Sequence, residues 1–145
     1  MMRTLSIFTV LSLVSGCTTA PDPLRVAPLP LAGPVNGVPE ALFRARSQAT
    51  AATEAFFLDD WARLDTIGQA LEDTAAQLGK MPVPEPKQIE LRDAAAKLGT
   101  QAKQLRAAAL KKDTMAVSAA ISQIGTEVRN LQASFGATIT EQPQK

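Results

Sequence analysis

Histidine and tyrosine are absent from the 145-residue sequence, and there is only one cysteine. Histidine is the commonest general base and the commonest metal ligand, so its absence removes the usual nucleophilic triads and most transition-metal sites. The Glu-x-x-His pairs of di-iron bundles are missing for the same reason. We therefore predict that the chain is not an enzyme, with no catalytic residues, no metal-binding residues and no cofactor.

Aromatic residues are also scarce, at 4% with a single tryptophan, although 46% of the residues are hydrophobic. Strands favour β-branched and aromatic side chains, so an alanine-rich, aromatic-poor chain favours closely packed helices. Nor is there an excess of one charge, because 15 basic residues face 14 acidic ones and the two signs are interspersed. Binding to nucleic acid needs a basic face, so we predict no nucleic-acid partner.

The N-terminus has the pattern of an export signal. Arg3 is followed by an apolar run from residue 5 to residue 14, which is too short for a membrane-spanning helix but has the length of a signal-peptide core. The run ends in Val14-Ser15-Gly16-Cys17. An aliphatic residue, two small residues and a cysteine in this order resemble the lipobox of bacterial lipoproteins.

That resemblance implies a specific modification of Cys17. Its thiol would be alkylated with diacylglycerol, the chain would be cut before it, and residues 1–16 would be removed. Loss of these residues takes away one base, Arg3, and no acid, which leaves 14 charges of each sign. Residue two of the mature chain would be Thr18 rather than aspartate, which in the enteric sorting pattern resembles an outer-membrane address, with the inner membrane as the alternative.

Residues 17–37 are predicted to be a linker after the lipidated cysteine. Five of the ten prolines fall between residues 18 and 37, and proline removes amide donors and fixes φ. We expect a semi-rigid, partly polyproline II tether, which over twenty residues would reach at most about 60 Å. At the other end of the chain, residues 137–145 are predicted to be a disordered tail.

Between these ends, residues 38–136 show four apolar stripes with alternating spacings of three and four residues, as packed helices require. The stripes are Val38, Leu42, Ala45, Ala49, Ala52 and Phe56; Trp61, Leu64, Gly68, Leu71, Ala75 and Leu78; Leu91, Ala95, Leu98, Ala102, Leu105 and Ala109; and Val117, Ile121, Ile124, Val128, Leu131 and Phe135.

The fold class predicted from these stripes is an all-α, up-down-up-down four-helix bundle. Asp59 or Asp60 is the expected N-cap of the second helix and Asp113 that of the fourth. Gly79 and Gly136 are expected to end the second and fourth helices, Gly136 as the C′ residue. One continuous helix over residues 38–79 would give a three-helix coiled coil, but at about 63 Å it would overhang its partners. We therefore expect a break at Leu58-Asp59-Asp60.

The fourth stripe resembles the last helix of the cytochrome c-prime family of periplasmic four-helix haem proteins. In that family a glycine precedes Cys-x-x-Cys-His, and an aromatic residue follows three positions later. Gly125 and Phe135 match the glycine and the aromatic residue, whereas Val128 and Leu131 replace the two cysteines and Gln132 replaces the histidine. The resemblance therefore implies the fold and not the haem chemistry.

The function predicted from the sequence is a non-catalytic interaction or structural module of the cell envelope, anchored to the membrane through lipid on Cys17 and facing the periplasm. Its partner would be an envelope protein. The alternative is a carrier of a small ligand or cofactor in the bundle interior. Three mid-helix glycines bear on this alternative, because they predict either a cavity or a close approach of helices; they are Gly68, Gly99 and Gly125.

Overall fold

A computed structural model of the chain describes residues 33–136. Within this range the chain forms four α-helices and no strand. The helices are α1 (Val38–Phe57), α2 (Trp61–Leu78), α3 (Lys87–Leu110) and α4 (Thr114–Phe135). The all-helical, four-helix expectation is therefore confirmed, and the three-helix alternative is wrong.

The helices begin and end largely where the sequence indicates. Pro39 lies in the first turn of α1, where its missing N–H has no helical partner to lose. Asp60 and Asp113 cap α2 and α4, and each side chain accepts a 3.0 Å hydrogen bond, from the backbone N–H of Arg63 and Ala116 respectively. The expected break between α1 and α2 is confirmed at residues 58–60.

The prediction that Gly136 is a C′ residue is wrong. Gly136 is the C-cap of α4 with φ −68°, and Gly79 ends α2 with φ −65°, so neither uses the left-handed conformation that favours glycine. The left-handed positions are instead Asp59 and Lys112, both at φ 53°. They lie in the middle of the connections 58–60 and 111–113, where one residue of positive φ turns the chain between helices.

All four helices contribute to one apolar core. Each helix packs against the next along the chain, and α4 packs back against α1. Leucine and isoleucine supply the large side chains, and alanine fills the closer contacts; among the fully buried residues are Leu64, Leu71, Leu98, Leu105, Ile124 and Leu131. The α3 stripe is buried as predicted, with all six of its residues in the core.

The ends of the helices are joined by specific contacts. The backbone N–H of Val35, just before α1, donates to Oε1 of Gln77 near the end of α2 (3.1 Å). Nζ of Lys87, the first residue of α3, donates to the carbonyl of Ser134 near the end of α4 (3.1 Å). These contacts place the start of α1 beside the end of α2, and the start of α3 beside the end of α4.

Candidate functional site

The predicted lipidation site, Cys17, lies outside the described residues, as do the signal peptide 1–16 and the tail 137–145. The last five residues of the predicted tether, 33–37, are described. Val35 packs against the core, and the backbone N–H of Asn36 donates to Glu40 (2.9 Å). The guanidinium of Arg44 donates to the carbonyl of Gly33. The chain that enters α1 is therefore held against the bundle along this stretch.

The positions that correspond to haem attachment in the cytochrome c-prime frame are filled by packed apolar side chains. Val128 and Leu131 are 3% and 1% exposed and belong to the core. Gln132 is half-buried, and Phe135 is buried with the ammonium of Lys87 5.6 Å from its ring centroid. In the fourth helix these positions serve the core of the bundle.

Gly68 is explained by an arginine that crosses α2. The Arg106 guanidinium donates through Nε to Asp65 (2.8 Å) and through Nη1 to Glu72 (3.0 Å), two carboxylates seven residues apart on α2. Gly68 lies between them, and a Cβ built on it would overlap Cγ of Arg106. The missing side chain thus makes room for the arginine stem. At Gly68 the structure therefore shows a close approach between helices and not a cavity.

The hydrogen bond to Asp65 and then that to Glu72 raise the pKa of Arg106 above its usual value, although desolvation opposes them. Because an arginine is charged at any ordinary pH, the raised pKa does not change its protonation, and the two hydrogen bonds matter for how they hold the helices together. The planar guanidinium uses two of its edges on two separate acids, and it joins α3 to two points of α2 that lie about two helical turns apart. The cluster is fully paired, so we assign it a structural role.

The two other mid-helix glycines line depressions that open on the surface of the bundle. Gly99 lies in a groove of about 590 Å³ between α2 and α3, and Gly125 in one of about 390 Å³ between α1 and α4. Small residues and charges of both signs line the larger groove; they include Ala75, Gly79, Ala95, Asp73, Arg92 and Lys103. Nothing in this mixed lining selects one ligand.

The polar groups of the described part of the chain include its carboxylates and a few buried side chains. No three of the carboxylates there lie close enough together to hold a metal ion. The deepest polar side chain is Gln48, which is fully buried between α1 and α2. Nε2 of Gln48 donates to the carbonyl of Ala70 (3.3 Å), which also accepts from the hydroxyl of Thr74. Oε1 of Gln48 accepts no hydrogen bond from any described group.

A feature that the stripes do not predict lies at the end of the bundle that carries the two short connections 58–60 and 111–113. Arg106 on α3 reaches Asp65 on α2, so the start of α2 lies beside the end of α3, and both connections are at this end of the bundle. We call it the loop end. Four large apolar side chains are exposed there: Phe57 (78%), Leu58 (49%), Leu110 (73%) and Met115 (82%).

The two connections of the loop end have the same backbone form and opposite charge. Asp59 and Lys112 both have φ 53°, and the residue after each is an aspartate that caps the next helix. The first connection carries Asp59 and Asp60, and the second carries Lys111 and Lys112 before Asp113. One side of the loop end is therefore acidic and the other basic.

Comparisons with protein-family models, with curated proteins and with solved structures returned no match to this chain. Among the helices that the structure describes, none combines the length and the apolar character needed to cross a membrane.

Proposed function

We propose that the chain is a lipid-anchored, periplasm-facing lipoprotein of the bacterial envelope, in which a non-catalytic helical bundle serves as an interaction module. The observation that carries the proposal is Val14-Ser15-Gly16-Cys17, which stands at the end of a short apolar run and contains the sole cysteine of the sequence. A signal peptidase that cuts before a lipidated cysteine needs small residues at this place. Two or more acyl chains would give durable anchoring, where one would not.

The bundle in this proposal has up-down-up-down topology. Two three-residue connections support it, because such short links join antiparallel neighbours. The contacts of Val35 with Gln77 and of Lys87 with Ser134 support it as well, since each joins the start of one helix to the end of another. The tether would then leave the bundle at the end opposite the loop end.

Lipidation is tested on the full chain, expressed in a bacterium and labelled with radioactive palmitate. We expect the wild-type chain to take up label and to lose residues 1–16, whereas Cys17→Ser should take up no label and stay uncut. Ser15→Ala is the matched control, because it keeps a small residue in the motif and should behave as wild type. Label on the Cys17→Ser chain, or cleavage elsewhere in the wild type, would refute the proposal.

The outer membrane is the proposed location, on the strength of Thr18 as the second mature residue. Separation of the two membranes on a density gradient tests it in an enteric host. We expect the wild-type chain in the outer-membrane fractions and Thr18→Asp in the inner-membrane fractions, with equal palmitate labelling of both. Wild-type chain in the inner-membrane fractions would support the alternative location.

A further inference from the structure

The loop end has apolar side chains that the fold itself does not use. Phe57, Leu110 and Met115 lie outside the four apolar stripes, and all three are more than two-thirds exposed. Two other large apolar side chains are exposed away from this end, Phe43 on α1 and Ile89 on α3, but among the described residues only the loop end brings several of them together with unpaired charges of both signs. Capping explains Asp60 and Asp113, because each accepts a backbone N–H of the helix that follows. It does not explain the exposed apolar side chains beside them.

The charges of the loop end are free to pair with another molecule. Asp59, Lys111 and Lys112 are exposed, and none of them forms an ion pair within residues 33–136. The acidic and the basic connection lie on opposite sides of one end face, so the face is complementary to itself. A two-fold axis that lies in this face and runs parallel to the connections brings each acidic connection opposite a basic one, twice.

We propose that the loop end binds the loop end of a second copy of this chain, in a head-to-head, two-fold symmetric pair. Asp59 of each copy faces Lys112 of the other, and the side chains of Phe57, Leu58, Leu110 and Met115 form the apolar centre between these charges. Because the end of a four-helix bundle is a small face, the pair belongs to the weak, small-interface class. Self-association of this kind rests on the proposed function in one respect, since it takes the bundle as an interaction module.

The two left-handed positions provide charge-reversed variants that preserve the fold. Asp59→Lys places at φ 53° the residue that the other connection already holds at φ 53°, and Lys112→Asp does the converse. Neither residue caps a helix. Both variants should therefore unfold at the wild-type temperature, which is checked by circular dichroism.

The test is co-purification of two differently tagged full chains, expressed together and extracted in mild detergent. We expect the wild-type pair to be recovered together. With Asp59→Lys in both chains, or Lys112→Asp in both, two attractive contacts become repulsive and recovery should fall about tenfold. When one chain carries Asp59→Lys and the other Lys112→Asp, both contacts are again complementary, and recovery should return to the wild-type level.

Two controls make the result specific to the loop end. Lys80→Asp reverses an exposed charge in the connection between α2 and α3 and should leave recovery unchanged. Phe57→Ser should lower recovery without lowering the unfolding temperature, because this side chain is 78% exposed. Palmitate labelling of every variant is measured in the same preparations. Loss of label then reports a failure of anchoring, whereas loss of co-purification with label retained reports a failure of pairing.

The proposal is overturned by any of three results. Wild-type chains that are not recovered together do not pair. If the two tagged chains are recovered together equally well with and without a charge reversal in both, they associate through a different surface or only share a detergent micelle. Loss of recovery without rescue in the mixed pair means that Asp59 and Lys112 do not face one another, and that the loop end has another occupant.

Discussion

Gly68 and Gly99 are both mid-helix residues of the α2–α3 interface, yet their substitution by alanine should have opposite effects. A Cβ at Gly99 would meet the Cβ of Ala75 at 3.7 Å, an ordinary contact, so Gly99→Ala should stabilise the fold by about 0.5–1 kcal/mol through helix propensity. A Cβ at Gly68 would displace the stem of Arg106 and lies 3.3 Å from the carbonyl of Ala102. Gly68→Ala should therefore cost about 1–3 kcal/mol.

Denaturant unfolding of the two single variants checks this pair of predictions, each variant serving as the control for the other. Equal stabilisation by both would show that Arg106 moves aside freely and that its bridge between Asp65 and Glu72 adds nothing. A large loss in Gly99→Ala would show that the groove between α2 and α3 closes more tightly than the distance to Ala75 indicates.

At the scale of single elements, the start of α4 depends on one side chain. Asp113 accepts a 3.0 Å hydrogen bond from the backbone N–H of Ala116, one of the four N–H groups that a helix start leaves unpaired. Asp113→Ala should lower the free energy of unfolding by about 1 kcal/mol, whereas Asp113→Asn keeps the acceptor and should recover most of the loss. Chemical denaturation of the two variants tests this, and equal losses would assign the effect to the charge at the helix terminus.

Helix positions were predictable because the 3-4 spacing and the capping residues reflect local physics. The α3 stripe is entirely buried, and Asp60 and Asp113 are N-caps. The choice of face within α1 was less accurate, since Gln48 is fully buried whereas Ala49 is only partly buried. A hydropathy pattern does not reveal that the amide of Gln48 finds the carbonyl of Ala70 on the neighbouring helix.

At the same scale, the left-handed residues escaped prediction. Asp59 and Lys112 occupy positive φ, where glycine is the usual signal, whereas the two glycines that end helices, Gly79 and Gly136, do so at negative φ. The docking of residues 33–37 was also missed, because the prolines of this stretch indicate a tether and its contacts come from distant residues such as Gln77.

At the scale of the whole molecule, the carrier alternative makes a prediction that differs from the proposed function. Val128 and Leu131, which stand where the resemblance to the cytochrome c-prime family would put the haem-binding cysteines, are buried in the core. We expect the full chain purified from its host to show no haem absorption band, at roughly 400 nm, and no mass beyond the protein and the lipid proposed for Cys17. A visible band, or an added mass on the protein, would favour the carrier.

The sequence predicted a candidate site at Cys17, but the loop end required the structure. A periodic pattern marks side chains that point inward, and Phe57 and Met115 lie off the stripes. Only contacts between helices, such as Arg106 with Asp65, show that the two connections lie at the same end of the bundle. The opposite charges of Asp59 and Lys112 can be read from the sequence, but their placement on one end face can be read only from the tertiary structure.

The proposed up-down-up-down topology puts the first turn of α1 and the last turn of α4 at the same end of the bundle, and this has a consequence for how the fold would respond to mechanical load. A force applied between residues 33 and 136 acts across adjacent helix ends, so it peels α1 from α4 one turn at a time. Before α1 can separate, the force has to release residues 33–37 from the bundle, which includes breaking the hydrogen bond from Val35 to Gln77 of α2. A load passed from one loop end to another would instead run along the helix axes and meet the resistance of all four helices together.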